Sequence, residues 1–81
     1  MNTVIYFGSP MCSPCVAVKA ELEKLDDSYE VEMYDVTEDL TKTMEYNVSS
    51  TPTLIYVQND LEIGRTVGYV DLDIIQSTFH S

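Results

Sequence analysis

Residues 3 to 7, Thr-Val-Ile-Tyr-Phe, are β-branched or aromatic with no clean polar alternation. This is the pattern of a strand covered on both faces and central in its sheet. Gly8-Ser9-Pro10 breaks the run, and from about Cys12 the apolar spacing changes. Cys15, Val18, Leu22 and Leu25 recur at steps of three and four. That spacing predicts a helix with this stripe toward the core and with Lys19, Glu21, Glu23 and Lys24 on the wet side. Pro14 suits the first turn, where backbone N–H groups need no partner within the helix. Asp26-Asp27-Ser28 ends the segment, and residues 30 to 34 alternate polar with apolar, as a half-buried strand near an edge does.

A strand, helix and strand of this length imply parallel strands joined by a right-handed crossover. Residues 12 to 15 then stand at the carboxyl end of the first strand, where the active sites of α/β sheets collect. Thr37, followed by Glu38 and Asp39, reads as the N-cap of a short second helix with Leu40, Met44 and Val48 as its apolar face. Residues 52–57 and 61–67 read as antiparallel strands joined by a tight turn at Gln58-Asn59-Asp60. Gly68 breaks the last strand, Asp71 caps a final helix, and Leu72, Ile75 and Phe79 supply its core face. The expected fold is α/β, in the order β-α-β-α-β-β-α, with a four-stranded mixed sheet flanked by helices in one domain over residues 1–81.

Eighty-one residues can bury a little over ~60% of their unfolded surface, an adequate but modest core. Fourteen acidic against four basic side chains give a net charge of −10. That charge repels nucleic acid and anionic membranes and favours partners with basic docking surfaces. The N-terminal residues form no basic leader, and no apolar stretch approaches the ~18 residues of a membrane span, so a soluble, cytoplasmic monomer is expected. Tyr6, Phe7, Tyr34 and Tyr56 fall in strand-like runs and are expected in the core rather than on a nucleic-acid platform. The methionines other than Met11 read as core filler, and His80 as a solvated terminal residue.

The chemistry concentrates in Cys12-Ser13-Pro14-Cys15, which holds both cysteines of the chain. A bridge across so short a loop hardly constrains the unfolded chain, so stability does not explain the pair, and dithiol redox chemistry does. A thiol near pKa ~8.5 needs its thiolate stabilised to act at neutral pH, and the free N–H groups of a helix start supply that for Cys12. Cys15, one turn deeper on the apolar stripe, is then the buried resolving thiol. Zinc wants four ligands, and beyond these sulfurs the chain offers His80 alone, so a metal would have to be shared between two chains. The expectation is no metal and no cofactor other than a redox-active disulfide.

Residues 9–15 (Ser-Pro-Met-Cys-Ser-Pro-Cys), Ser50-Thr51-Pro52-Thr53 and Val67-Gly68 together resemble the thioredoxin/glutaredoxin superfamily over essentially the whole chain. Within it the chain looks most like the small redoxins of glutaredoxin length. The resemblance implies a thioredoxin-like fold and a cis Pro52 beside the cysteines. It further implies Thr51 backbone that hydrogen-bonds substrate, and a groove bordered by Met11, Ser13, Pro14 and Gly68. Three departures stand out. Met11 and Tyr6 occupy positions where thioredoxins usually carry Trp and a buried Asp, and Met33 stands near the place of a buried lysine. Glutaredoxins hold glutathione with basic residues near the first cysteine, but no Lys or Arg precedes Cys12, and Pro14 is thioredoxin-like. The implied activity is reduction of protein disulfides, with a thioredoxin reductase or glutathione as electron donor. The alternatives are a glutathione-dependent glutaredoxin and a redox-inactive adaptor subunit on the same fold.

Overall fold

Side chains of β1 (Asn2–Gly8) point alternately into two separate cores, which is why the sequence shows no polar alternation there. Val4 and Tyr6 pack with Val18, Leu22, Leu54, Tyr56, Ile75 and Phe79 on one face of the sheet. On the other face Ile5 and Phe7 pack with Ile55, against which Tyr34, Val36, Tyr46 and Val48 lie. The computed structural model describes residues 1–80, and Ser81 lies outside the described residues.

After β1 come α1 (Ser13–Leu22), β2 (Tyr29–Asp35), α2 (Leu40–Glu45), β3 (Thr53–Gln58), β4 (Leu61–Val67) and α3 (Leu72–Phe79). The sheet order is β2-β1-β3-β4, with β1 parallel to β2 and antiparallel to β3, and β3 antiparallel to β4. This is the expected four-stranded mixed sheet, with β1 interior and β2 at an edge. Asn59 and Asp60 both take positive φ, 53° and 68°, the backbone that a two-residue hairpin turn demands. Among the described residues no helix is long and apolar enough to cross a membrane.

Four local expectations are corrected. The helix α1 stops at Leu22, its last turn tightening through bonds such as Leu25 N–H to the Leu22 carbonyl, so Leu25 joins the core from a turn rather than from the helix. Thr37 does not cap α2: its N–H and hydroxyl donate to Asp35 Oδ1 at 2.8 and 2.6 Å, and the helix starts three residues later after Asp39. The expected apolar face of α2 is then largely absent, because Leu40 and Met44 are exposed and only Val48 reaches the second core. The methionines are not core filler, since Met1, Met33 and Met44 are all exposed along with Met11.

Glu21 is also more than a wet-side residue. Its Oε2 accepts from Lys24 Nζ at 2.6 Å, while Oε1 accepts from the Leu72 backbone N–H at 2.9 Å and so ties α1 to the start of α3. Asp71 caps α3 as expected, accepting from Ile74 N–H at 3.0 Å. His80 is exposed, and its Nε2 lies 3.2 Å from the Tyr29 hydroxyl, away from the cysteines.

Candidate active site

Strand register decides what meets at one end of the sheet. Phe7 pairs with Thr53, and Thr53 with Val67, so the loop leaving β1, the segment entering β3 and the segment leaving β4 are neighbours. These three segments carry Cys12 to Cys15, Thr51-Pro52 and Gly68. The Thr51–Pro52 peptide is cis, and the Gly68 N–H donates to the Pro52 carbonyl at 2.8 Å. Gly68 has φ +94°, a backbone that side chains rarely adopt, so glycine is what allows the chain to turn back onto Pro52 there. Ser9 and Thr51 line one cleft, joining the loop ahead of the cysteines to the segment ahead of β3.

Cys12 is the N-cap residue of α1, in extended backbone with no side-chain cap, and Pro14 sits in the first turn, where its missing N–H costs nothing. Cys12 and Cys15 form a disulfide with Cα atoms 5.2 Å apart. Their surroundings differ sharply. Cys12 is half-buried at the rim against the main core, whereas Cys15 is 1% exposed within it. Met11 stands out into solvent at 94% exposure, and Ser13 and Pro14 are exposed beside it, whereas Pro52 is buried and Thr51 and Gly68 are half-buried. The structure thus gathers Thr51, Pro52 and Gly68 at the end of the sheet from which the cysteine loop departs.

Two features near the site escape the apolar periodicity of the sequence. Val16 is apolar yet 69% exposed, because it follows Cys15 off the core-facing stripe, and Val67 and Tyr69 flank Gly68 with their side chains likewise exposed. Tyr6, register partner of Met33, lines a cavity beside Cys15. Burial raises the Tyr6 phenol above its ordinary pKa, and the nearby Asp35 carboxylate raises it further. Among the described residues no group of three or more His, Cys, Asp or Glu is placed to hold a metal ion.

Comparison with known proteins gives one answer. The thioredoxin family model matches residues 1–81. A thioredoxin of Methanocaldococcus jannaschii is 38% identical over 60 residues, covering 69% of each chain. One from Bacillus subtilis is 30% identical over 74 residues, covering 86% of this chain and 71% of its own. Thioredoxin 1 of Thermosipho africanus superposes with a TM-score of 0.84 at 22% identity, over 96% of this chain and 90% of its own, which speaks to the fold. On the strength of the full-length family match and these relatives, the chain belongs to the thioredoxin family and is a thiol–disulfide oxidoreductase.

Proposed function

We propose that this chain reduces protein disulfides through Cys12 and Cys15 and is itself recharged by a thioredoxin reductase. The Cys12 thiolate attacks one sulfur of a partner's disulfide, forming a mixed disulfide and releasing the partner's other sulfur as a thiolate that takes a proton from water. Cys15 then loses its proton and attacks Cys12 Sγ, which frees the partner's second thiol and closes the internal bond. Two electrons have passed from the dithiol to the partner. The contrast in burial between the two sulfurs carries the reading: the half-buried one sits at a helix N-terminus, where a thiolate is favoured, and the sealed one is out of a partner's reach.

Thr51 and Gly68 backbone beside Pro52 would present the partner's chain, with exposed Met11 as an apolar rim. The donor assignment rests on what surrounds Cys12. No Lys or Arg precedes it, and the Asp71 carboxylate, which follows Gly68, is occupied in capping α3. A coupled NADPH assay on a protein disulfide tests the proposal. Turnover is expected with thioredoxin reductase and is lost, by at least about a hundredfold, in Cys12→Ser, which removes the nucleophile. Turnover with glutathione and glutathione reductase alone would make the chain glutathione-linked. Absence of turnover with either system would point to an adaptor.

A further inference from the structure

Reduction leaves Cys15 as a buried thiol that must shed a proton before it displaces the partner. With 1% of the residue exposed, that proton has no direct way to bulk solvent. Beside Cys15, on the β2 side of α1, lies a cavity open to solvent, of about 380 Å³, walled by Tyr6, Gly8, Lys19, Met33 and Asp35 as well as Cys15 itself. It is far larger than one water requires, and its wall carries charged partners for water.

Tyr6 is the group that needs explaining. Phenylalanine would fill the same core, and the other tyrosine buried in that core, Tyr56, has its hydroxyl 2.9 Å from Thr66 Oγ1. Among the described residues no protein group hydrogen-bonds the Tyr6 hydroxyl, yet it is not sealed in. A Cβ at Gly8 would overlap that hydroxyl, so the bare backbone at Gly8 is what lets the phenol lie across the end of β1. Asp35 is held as a carboxylate by the Thr37 hydroxyl and N–H, and burial first, then the Asp35 charge, raise the phenol further above its ordinary value, so that it stays a hydrogen-bond donor.

We propose that Tyr6 is a positioning residue for the resolving step: through water in this cavity its hydroxyl donates a hydrogen bond toward the Cys15 thiolate, while the thiol proton leaves past Asp35 to solvent. The proposal rests on the dithiol reading above. The proton passes from Cys15 Sγ to cavity water and on to bulk, the sulfur attacks Cys12 Sγ, and the phenol keeps its own proton throughout. A donor that reaches, through ordered water, a sulfur turning anionic at the edge of an apolar core lowers the cost of that charge. The titratable groups facing the cavity are Tyr6 from β1, Lys19 from α1, Tyr34 and Asp35 from β2, and Asp39 ahead of α2. Lys19 favours the thiolate and the carboxylates oppose it.

Rapid acid quench of the reduced protein mixed with a disulfide-bridged peptide, across pH 6 to 10, separates attack from resolution. Attack alone is read in a Cys15→Ser background. Tyr6→Phe is expected to accumulate mixed disulfide, slow resolution about tenfold and move its pH midpoint upward, with attack within about twofold of the parent. Asp35→Asn removes an opposing charge and moves the midpoint of resolution downward. Resolution at the parental rate and midpoint in Tyr6→Phe, or equal slowing of both steps, overturns the proposal. If Tyr6→Phe does not fold, an unmoved midpoint in Asp35→Asn overturns it instead. Failure of the Cys15→Ser protein to form any mixed disulfide overturns the dithiol reading and this proposal with it.

Discussion

Two cysteines three positions apart occupy opposite environments because one helical turn carries the chain from the rim at Cys12 to the interior at Cys15. Similar economy governs the buried polar groups. The Tyr56 hydroxyl and Thr66 Oγ1, 2.9 Å apart, satisfy each other at the edge of the core, where Thr66 is half-buried. Thr66→Val therefore strands a buried hydroxyl and should cost about 1–3 kcal/mol, whereas adding Tyr56→Phe should recover part of that loss, as urea denaturation of the single and double variants would measure. The cysteine pair was legible in the sequence, since its spacing and its place between strand and helix are local facts. Tyr6 as a cavity residue was not, because its setting depends on Met33 across the strand register and on the missing side chain at Gly8. The exposed methionines misled for a related reason: an apolar side chain near the end of an element gives no local sign of whether a neighbour covers it.

Among the elements, α1 and α3 share one face of the sheet and are joined at their polar edge by Glu21. The Lys24 ammonium first, then the Leu72 N–H, hold the Glu21 carboxyl below its ordinary value of 4.5. Because the folded value is the lower one, this tie is fully present above about pH 4.5 and is lost as pH falls through the folded value. Asp26, Asp35 and Glu62 are lowered in the same direction by Ser28, Thr37 and Arg65. The thermal midpoint should thus drop as the solution is acidified below pH 4.5. Glu21→Gln should lower the midpoint at neutral pH and flatten the acid limb, as a series of melts from pH 3 to 7 would record. β1, β3, α1 and α3 were readable because each buries apolar residues, whereas β2 and β4, with none buried, were read from polar alternation and from the turn between Gln58 and Leu61. The start of α2 was not, because the Asp35 carboxylate competes for Thr37, and a six-residue helix with no buried residue has no face to announce it.

For the whole molecule, the convergence of three chain segments at one sheet end is a property of strand order, so it depends on the core that holds the order. A domain of this size has a stability of about 4–12 kcal/mol. Ile75, fully buried where α3 meets the sheet, should cost about 2–5 kcal/mol when cut to alanine, and denaturant titration of Ile75→Ala should find much of the stability gone. The central claim is the division of labour between the two sulfurs. Its most direct test incubates the reduced Cys15→Ser and Cys12→Ser proteins with a disulfide-bonded protein and reads covalent adducts by intact mass. The account predicts a stable mixed disulfide on Cys12 in the Cys15→Ser protein and none in the Cys12→Ser protein. Capture by Cys15 in the Cys12→Ser protein, with none by Cys12, would contradict it.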